Sequence, residues 1–336
     1  MDFWNNKRVL ITGGAGFIGS HLCLDLLKEG SNITVVDNLE RGTLEIIGDK
    51  ISQITFYNLD LSSKKNCEKL FSNSYDIVFH FASKVGGIGY YTSKPYEVIE
   101  KMTNVDSNIL NLILRQKNKP LYFYASSAHV YPIELQGTPD SKPICENQAF
   151  PANPELSYGW AKLYAEKQIQ FAAKEYCDLK VAIGRYIGIY GPGQDFDLST
   201  GSVIPVFSYR SIKYPQIPFS IWGTGKETRS YCYVDDAVEC TKLMVEKLAT
   251  EHMIGPLNIG KQERISIREI AENIIEICGK DVIIEYDLTK PTLIWGQWCD
   301  CNLAEKVLDG WKAKTSFKEG LLKTYIDISK RVEHDK

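Results

Sequence analysis

Between Lys7 and Asp37 the chain passes through an apolar stretch, a glycine turn, an amphipathic stretch, a second apolar stretch and an acid. That succession leaves little choice of fold. Arg8-Val9-Leu10-Ile11 reads as a buried parallel strand, and Thr12-Gly13-Gly14-Ala15-Gly16-Phe17-Ile18-Gly19 follows at once. From Ser20 to Lys28, Leu22, Leu24, Leu26 and Leu27 lie partly at helical spacing, and Gly30 stops the segment. Asn32-Ile33-Thr34-Val35-Val36 is a second strand, closed by Asp37. This is one βαβ unit with glycines at 13, 16 and 19. The first permits a tight turn, the second lets backbone approach a pyrophosphate, and the third allows helix and strand to pack closely. The phosphates would rest on the positive N-terminal end of the helix, where Phe17 and Ile18 stand. Asp37 would accept hydrogen bonds from the adenosine ribose hydroxyls and repel a 2′-phosphate, so NAD is expected rather than NADP. Arg41, just beyond, reads as a solvated loop charge.

The alternation continues. Ile54-Thr55-Phe56-Tyr57 precedes Asn58-Leu59-Asp60-Leu61, and Asp76 to Ala82 is another buried strand. A long helix is expected from about Pro95 to Lys117, then a strand over Pro120–Ala125, a helix after Ser157 and a sixth strand from Leu179. Repeated βα units imply an α/β fold, a doubly wound parallel sheet of the Rossmann kind with helices on both faces. Ligands then bind at the carboxyl ends of the strands. After about Tyr186 the pattern loosens into shorter elements, so a smaller C-terminal α/β substrate lobe is expected. The division is 1–185, with about 230–260 returning, for the dinucleotide domain, and 186–229 with 261–336 for the lobe.

Composition excludes several classes. Lys and Arg number 39 against 42 Asp and Glu, a net charge of −3 with the signs mixed. No basic stripe points to nucleic acid or to an anionic membrane. No apolar run reaches transmembrane length, and the N-terminus enters the first strand directly, so a cytoplasmic protein is expected. The nine cysteines are scattered, without zinc-site spacing, and read as reduced structural thiols; no metal is expected.

The chemistry-bearing residues lie at the end of the fifth strand and the start of the helix after it. Ser127 lies where the strand opens, and Tyr158 and Lys162 share one face of that helix. A tyrosine titrates near ~10, too high for a base at neutral pH. A neighbouring ammonium and a positive nicotinamide would favour the phenolate. With Ser127 hydrogen-bonding the same substrate hydroxyl, the set can take a proton from an alcohol while hydride leaves its carbon.

At this point the chain resembles the extended short-chain dehydrogenase/reductases of the nucleotide-sugar epimerase/dehydratase branch. The likeness rests on Gly13/Gly16/Gly19, Asp37-Asn38-Leu39, Asp60-Leu61, Ser127/Tyr158/Lys162, Gly184-Arg185-Tyr186, Tyr190-Gly191-Pro192, Trp222-Gly223-Thr224-Gly225, Arg229-Ser230-Tyr231 with Val234-Asp235-Asp236, and Asn258-Ile259-Gly260. It implies that Asn38, Asp60, Leu61, Ala82, Lys84 and Tyr186 belong to the NAD site and that Lys162 holds the nicotinamide ribose. Arg229 would neutralise a phosphate of a nucleotide-diphosphate sugar. The helices around Pro95–Lys117 and Tyr158–Tyr176 resemble those that pair in family homodimers.

Within the branch, Ala82-Ser83-Lys84-Val85-Gly86-Gly87-Ile88-Gly89 and Tyr124 to Pro132 look most like GDP-mannose 3,5-epimerases and GDP-fucose synthases. The first is similar to their sugar-binding loop, which assigns Gly86 and Gly87 to substrate and weakly favours a GDP-linked one. The second carries His129 where those enzymes have a cysteine that exchanges a ring proton. Along an extended backbone His129 would share the direction of Ser127. Its imidazole could then be an acid/base or a polar wall. The segment Gly201-Ser202-Val203-Ile204-Pro205 lacks the second titratable group of the pair. Gly188 stands where the family has an asparagine, and Trp295 and Gln297 stand near a usual arginine; Trp295 or Trp298 could stack on the ligand or plug the lobe, and Arg210 and Lys213 could replace the lost charge. The leading expectation is an NAD-dependent nucleotide-sugar epimerase working through a transient 4-keto sugar. The alternatives are a 4-epimerase, a 4-ketoreductase or dehydrogenase, and a non-catalytic NAD-binding regulator.

Overall fold

A computed structural model describes residues 3–70, 73–84, 88–290 and 294–334. Five strands, β1 (Arg8–Thr12), β2 (Asn32–Asp37), β3 (Thr55–Asn58), β4 (Ile77–His80) and β5 (Leu121–Ser127), alternate with helices α1 (Phe17–Lys28), α2 (Lys64–Leu70), α3 (Ile88–Ser93) and α4 (Pro95–Arg115). Next come α5 (Ser157–Glu175), β6 (Val181–Tyr186), β7 (Ile189–Tyr190), α6 (Val203–Lys213), β8 (Phe219–Trp222), β9 (Thr228–Arg229), β10 (Cys232–Tyr233) and α7 (Val234–Lys247). The chain closes with β11 (Met253–Ile259), β12 (Ile265–Ser266), α8 (Ile267–Cys278), β13 (Ile284–Asp287), β14 (Gly296–Gln297), α9 (Asn302–Val307) and α10 (Phe317–His334).

Seven strands form one parallel sheet in the order β11-β6-β5-β4-β1-β2-β3. The near-continuous apolar runs of β1, β4, β5 and β6 follow from burial on both faces. Val9, Ile11, Phe79 and Phe123 pack toward one face with α1 and α7, and Leu10, Val78, Tyr122 and Ile183 toward the other with α4 and α5. The strand order reverses between β1 and β4, so the crevice for a ligand opens above Thr12 and His80. The strand read over Asp76–Ala82 stops at His80. There the Thr12 Oγ1 takes the Ala82 amide (3.3 Å), and Gly13 lies flush against the Ala82 backbone. Short sheets β12-β9-β14 and β13-β8, with α6, α8 and α10, stand beyond the carboxyl end of the large sheet. No helix among the described residues is long and apolar enough to cross a membrane.

Candidate active site

The turn between β1 and α1 is shaped by absent side chains. Gly13 has φ +70°, and a Cβ there would lie 2.6 Å from the Ala82 nitrogen. A Cβ on Gly19 would lie 2.4 Å from the Gly13 carbonyl oxygen, so this glycine lets the helix sit on the turn. Gly16 is different: its nearest neighbour to a Cβ is the Gly13 oxygen at 3.1 Å, and the space above it is left to a ligand. Gly16 caps α1 without a side-chain bond, leaving the first-turn amides around Phe17 and Ile18 available to phosphate. A pyrophosphate-bearing cofactor therefore fits this cradle.

Asp37 accepts the amides of Ala15 (3.2 Å) and Leu39 (2.9 Å). Burial lifts its pKa, and these bonds work against the lift. Asn38 is exposed and caps its own turn by accepting the Glu40 amide (3.1 Å). Arg41 is exposed in its loop, as read from the sequence, and forms a surface ion pair with Asp195 at 2.8 Å. Lys84 is paired with Glu40 beside the same loop. Asp60 is exposed and accepts the Ser62 amide (2.9 Å), while Leu61 is buried. Tyr186 turns its ring against Phe81 and Phe123, and its hydroxyl bonds Thr241 of α7; only its main chain is left to face a cofactor. Gly86 and Gly87 lie outside the described residues.

At the far end of the crevice, Ser127 ends β5 and Tyr158 opens α5, and the Ser127 side chain lies near enough to the phenol to act on its pKa. Lys162, one turn on, is buried, donates to the Ala125 carbonyl (2.8 Å) and lies 5.9 Å from the centre of the Tyr158 ring. Burial raises the pKa of Tyr158, the neighbouring Tyr91 adds to it, and Ser127 opposes both. The protein alone thus keeps Tyr158 a phenol; the phenolate expected from the sequence calls for the positive nicotinamide as well as the Lys162 ammonium.

His129 reaches this centre by a different route from the one its spacing suggests. The strand ends at Ser127, and Ala128–Val130 form a 3-10 turn whose His129 amide approaches the Ser127 Oγ (3.3 Å). The imidazole nonetheless meets the Tyr158 ring edge-on, with centroids 5.8 Å apart. Burial and then the Arg229 guanidinium push its pKa down to about 4, so at neutral pH it is uncharged and free to accept a proton. Arg229, on β9, donates to the carbonyls of Thr228 and Ile294 (both 2.8 Å) and is in no ion pair among the described residues. Glu155 lies within electrostatic reach of that guanidinium, with one carboxylate oxygen buried and unpartnered.

Two departures acquire reasons. Gly188 has φ +54°, and a Cβ there would come 2.0 Å from the Ser230 oxygen, so no side chain fits where the resemblance leads one to expect asparagine. Trp298 donates its indole N–H to the Ser141 carbonyl (2.6 Å) beneath Arg264, and Gln297 bonds Gln136 (3.0 Å), so both brace the lobe. Arg210 bonds the Ser220 carbonyl on β8.

Spacing also misses what lies behind the triad. Glu166, two turns after Tyr158 on α5, takes a bidentate grip from Arg185 (2.9 and 2.7 Å) and accepts the Ser126 hydroxyl, all three buried. Arg185 also donates to the Tyr131 hydroxyl (3.2 Å), which donates to Asn258 of β11. The visible signal is an arginine inside the buried strand Val-Ala-Ile-Gly-Arg-Tyr, since a buried charge demands a partner.

A model of the NAD dependent epimerase/dehydratase family matches residues 9–260. GDP-mannose 3,5-epimerase 1 of Oryza sativa subsp. indica is 31% identical over 100% of this chain and 85% of its own length. Among solved structures, the UDP-glucose 4-epimerase of Thermotoga maritima with UDP-glucose superposes with a TM-score of 0.84 at 27% identity, covering 96% of this chain and 99% of its own. The UDP-glucuronic acid 4-epimerase of Bacillus cereus, in complex with UDP-glucuronic acid and NAD, gives 0.81 at 26% over 96% and 99%. The chain belongs to the NAD-dependent epimerase/dehydratase family, and it is an enzyme that uses NAD.

Proposed function

We propose that this enzyme inverts ring centres beside C4 of a nucleotide-diphosphate sugar, GDP-linked by preference, through a transient 4-ketone. The observation that carries the reading is the uncharged His129 imidazole set edge-on against Tyr158. Likeness to a GDP-mannose 3,5-epimerase over the whole chain supports it.

The glycine turn and Asp37 would hold NAD, which when bound would supply the hydride acceptor and donor for C4 and, oxidised, a positive charge favouring the Tyr158 phenolate. Tyr158 takes the proton of the C4 hydroxyl, with Ser127 bonding the same oxygen and Lys162 stabilising the phenolate. The ketone acidifies the C–H bonds at C3 and C5. His129 removes one of these protons, and solvent water delivers a proton to the opposite face, which inverts the centre; the hydroxide left behind is neutralised by the His129 imidazolium. A substrate phosphate on Arg229 would cancel the second cause of the low His129 pKa and make the imidazole a stronger base.

Incubation of GDP-mannose with the enzyme in heavy water tests this. Deuterium at C3 or C5, abolished in His129→Ala while bound NAD is still reduced, is the expected result. Inversion at C4 with no ring deuterium makes His129 a wall residue and the enzyme a 4-epimerase. Two further features complete the reading. Tyr96 of α4 and Trp160, Tyr164 and Phe171 of α5 are exposed, as a homodimer face would require. Nine unbridged cysteines suit the cytoplasm.

A further inference from the structure

Lys162 is a charge in a dry place. It is 2% exposed, its ammonium donates to a neutral carbonyl, and no carboxylate among the described residues comes within ion-pair distance. Its Nζ stands 4.7 Å from the centre of the Tyr124 ring. The hydroxyl at the other end of that ring donates to Asp106 Oδ2 (2.9 Å). Asp106, on α4, is buried, and its Oδ1 lies 3.0 Å from His80 Nε2. His80 Nδ1 in turn lies 2.6 Å from the Thr12 Oγ1, which accepts the Ala82 amide.

One set of protons satisfies this whole chain. Ala82 N–H points to Thr12, the Thr12 hydroxyl to His80 Nδ1, and His80 Nε2–H and the Tyr124 hydroxyl both to Asp106. In this arrangement the Asp106 carboxylate accepts from both sides and lies under the ring on which Lys162 rests.

We propose that Asp106 is the countercharge of Lys162, a positioning residue that acts across the Tyr124 ring and keeps the ammonium protonated in its buried seat. The other carboxylate facing Lys162, Glu166, is already neutralised by the two-pronged grip of Arg185. The remaining titratable neighbours are Tyr158 on α5, Tyr122 and Tyr124 on β5 and His80 on β4; none is a carboxylate. The balance at Lys162 agrees: burial lowers its pKa, and Asp106, followed by Glu166, raises it. The same chain ends on the backbone that abuts Gly13, so the seat of the lysine and the floor of the cofactor turn are one hydrogen-bonded unit.

The test is independent of which sugar the enzyme takes. Holoenzyme with lysine side chains isotopically labelled is titrated by NMR, and the Lys162 signal is assigned from a Lys162→Arg variant. Asp106→Asn removes the charge and leaves one oxygen to accept a hydrogen bond, its amide nitrogen being a donor; it is expected to lower the Lys162 midpoint by about one pH unit, a tenfold shift in the charged-to-neutral ratio. Asp106→Thr, a second charge-removing variant, should do the same. Tyr124→Phe, which leaves the carboxylate in place, should shift it much less. An unmoved midpoint in the Asp106 variants overturns the proposal, as does a Tyr124→Phe shift equal to theirs, which would assign the effect to packing.

Discussion

The two ends of the crevice are built in opposite ways. The cofactor end is made mostly of backbone from the short stretch Gly13–Leu39, closed by Ala82 after β4: glycines whose missing side chains let Ala82, Gly13 and α1 close together, and a carboxylate holding two nearby amides. The catalytic end is made of side chains from segments far apart in sequence. Tyr131 reaches Asn258, Arg185 reaches Glu166, and Arg229 acts on His129 from another lobe. A local site made of backbone is tolerant of everything except added atoms. A distributed site made of side chains tolerates added atoms poorly and lost partners worse.

The largest expected effect lies at the catalytic end. Tyr158→Phe removes the proton acceptor and should lower turnover about 10²–10⁴-fold, with NAD still bound, as read by a nucleotide-sugar turnover assay. Near-wild-type turnover would sink the assignment of this end as the chemical one. Next is the buried pair beneath it. Glu166→Ala leaves Arg185 charged and unpartnered and should cost about 3–5 kcal/mol in denaturant unfolding, whereas replacing both residues by leucine should cost less. Equal losses would mean the pair is only packing.

The glycines sharpen the contrast within one loop. Gly19→Ala forces a methyl onto backbone and should destabilise the fold by about 1–3 kcal/mol. Gly16→Ala meets no such wall; its Tm should stay near wild type while NAD affinity, followed by calorimetry, falls about tenfold. If both variants behave alike, the division between a packing glycine and a ligand-facing glycine is lost.

The pH response of His129 tests the catalytic end once more. Its folded pKa, near 4, lies below the unfolded value of ~6.5, so its neutral form favours the fold. That contribution is full above ~6.5 and is lost as pH falls toward 4. His129→Gln should therefore flatten the stability profile between these limits; a profile of unchanged slope would show that the imidazole titrates normally.

The same contrast governs what could be read from the chain. The βαβ unit is legible because its rules act between residues close in sequence: apolar runs, glycines at fixed offsets, an acid at a strand end. Ser127, Tyr158 and Lys162 stand out because strand end and helix face are also local features. Arg185 betrays itself only as a charge inside an apolar strand, and Glu166 and Asp106 are silent at this level, since each looks like one more charge until the fold removes water from around it. His129 shows the limit of periodic reasoning. The alternation that places it beside Ser127 fails at a 3-10 turn, and the turn delivers the ring to Tyr158 by another path. Gly188 illustrates the reverse: what reads as a lost anchor is a backbone crossing with no room for one.

One feature of the sheet bears on how the molecule is made. Its last strand, β11, pairs with β6, yet the chain builds α6, β8, β9 and α7 between them. While a ribosome is still translating those intervening elements, β6 waits with a bare edge, and the Arg185–Tyr131–Asn258 connection has no third member. Closure of the sheet is thus a late, long-range event, slow by its topology and open to edge-to-edge association until Ile259 has emerged. A fragment ending before Met253 would carry the glycine turn and Tyr158 and still lack the strand that finishes the sheet.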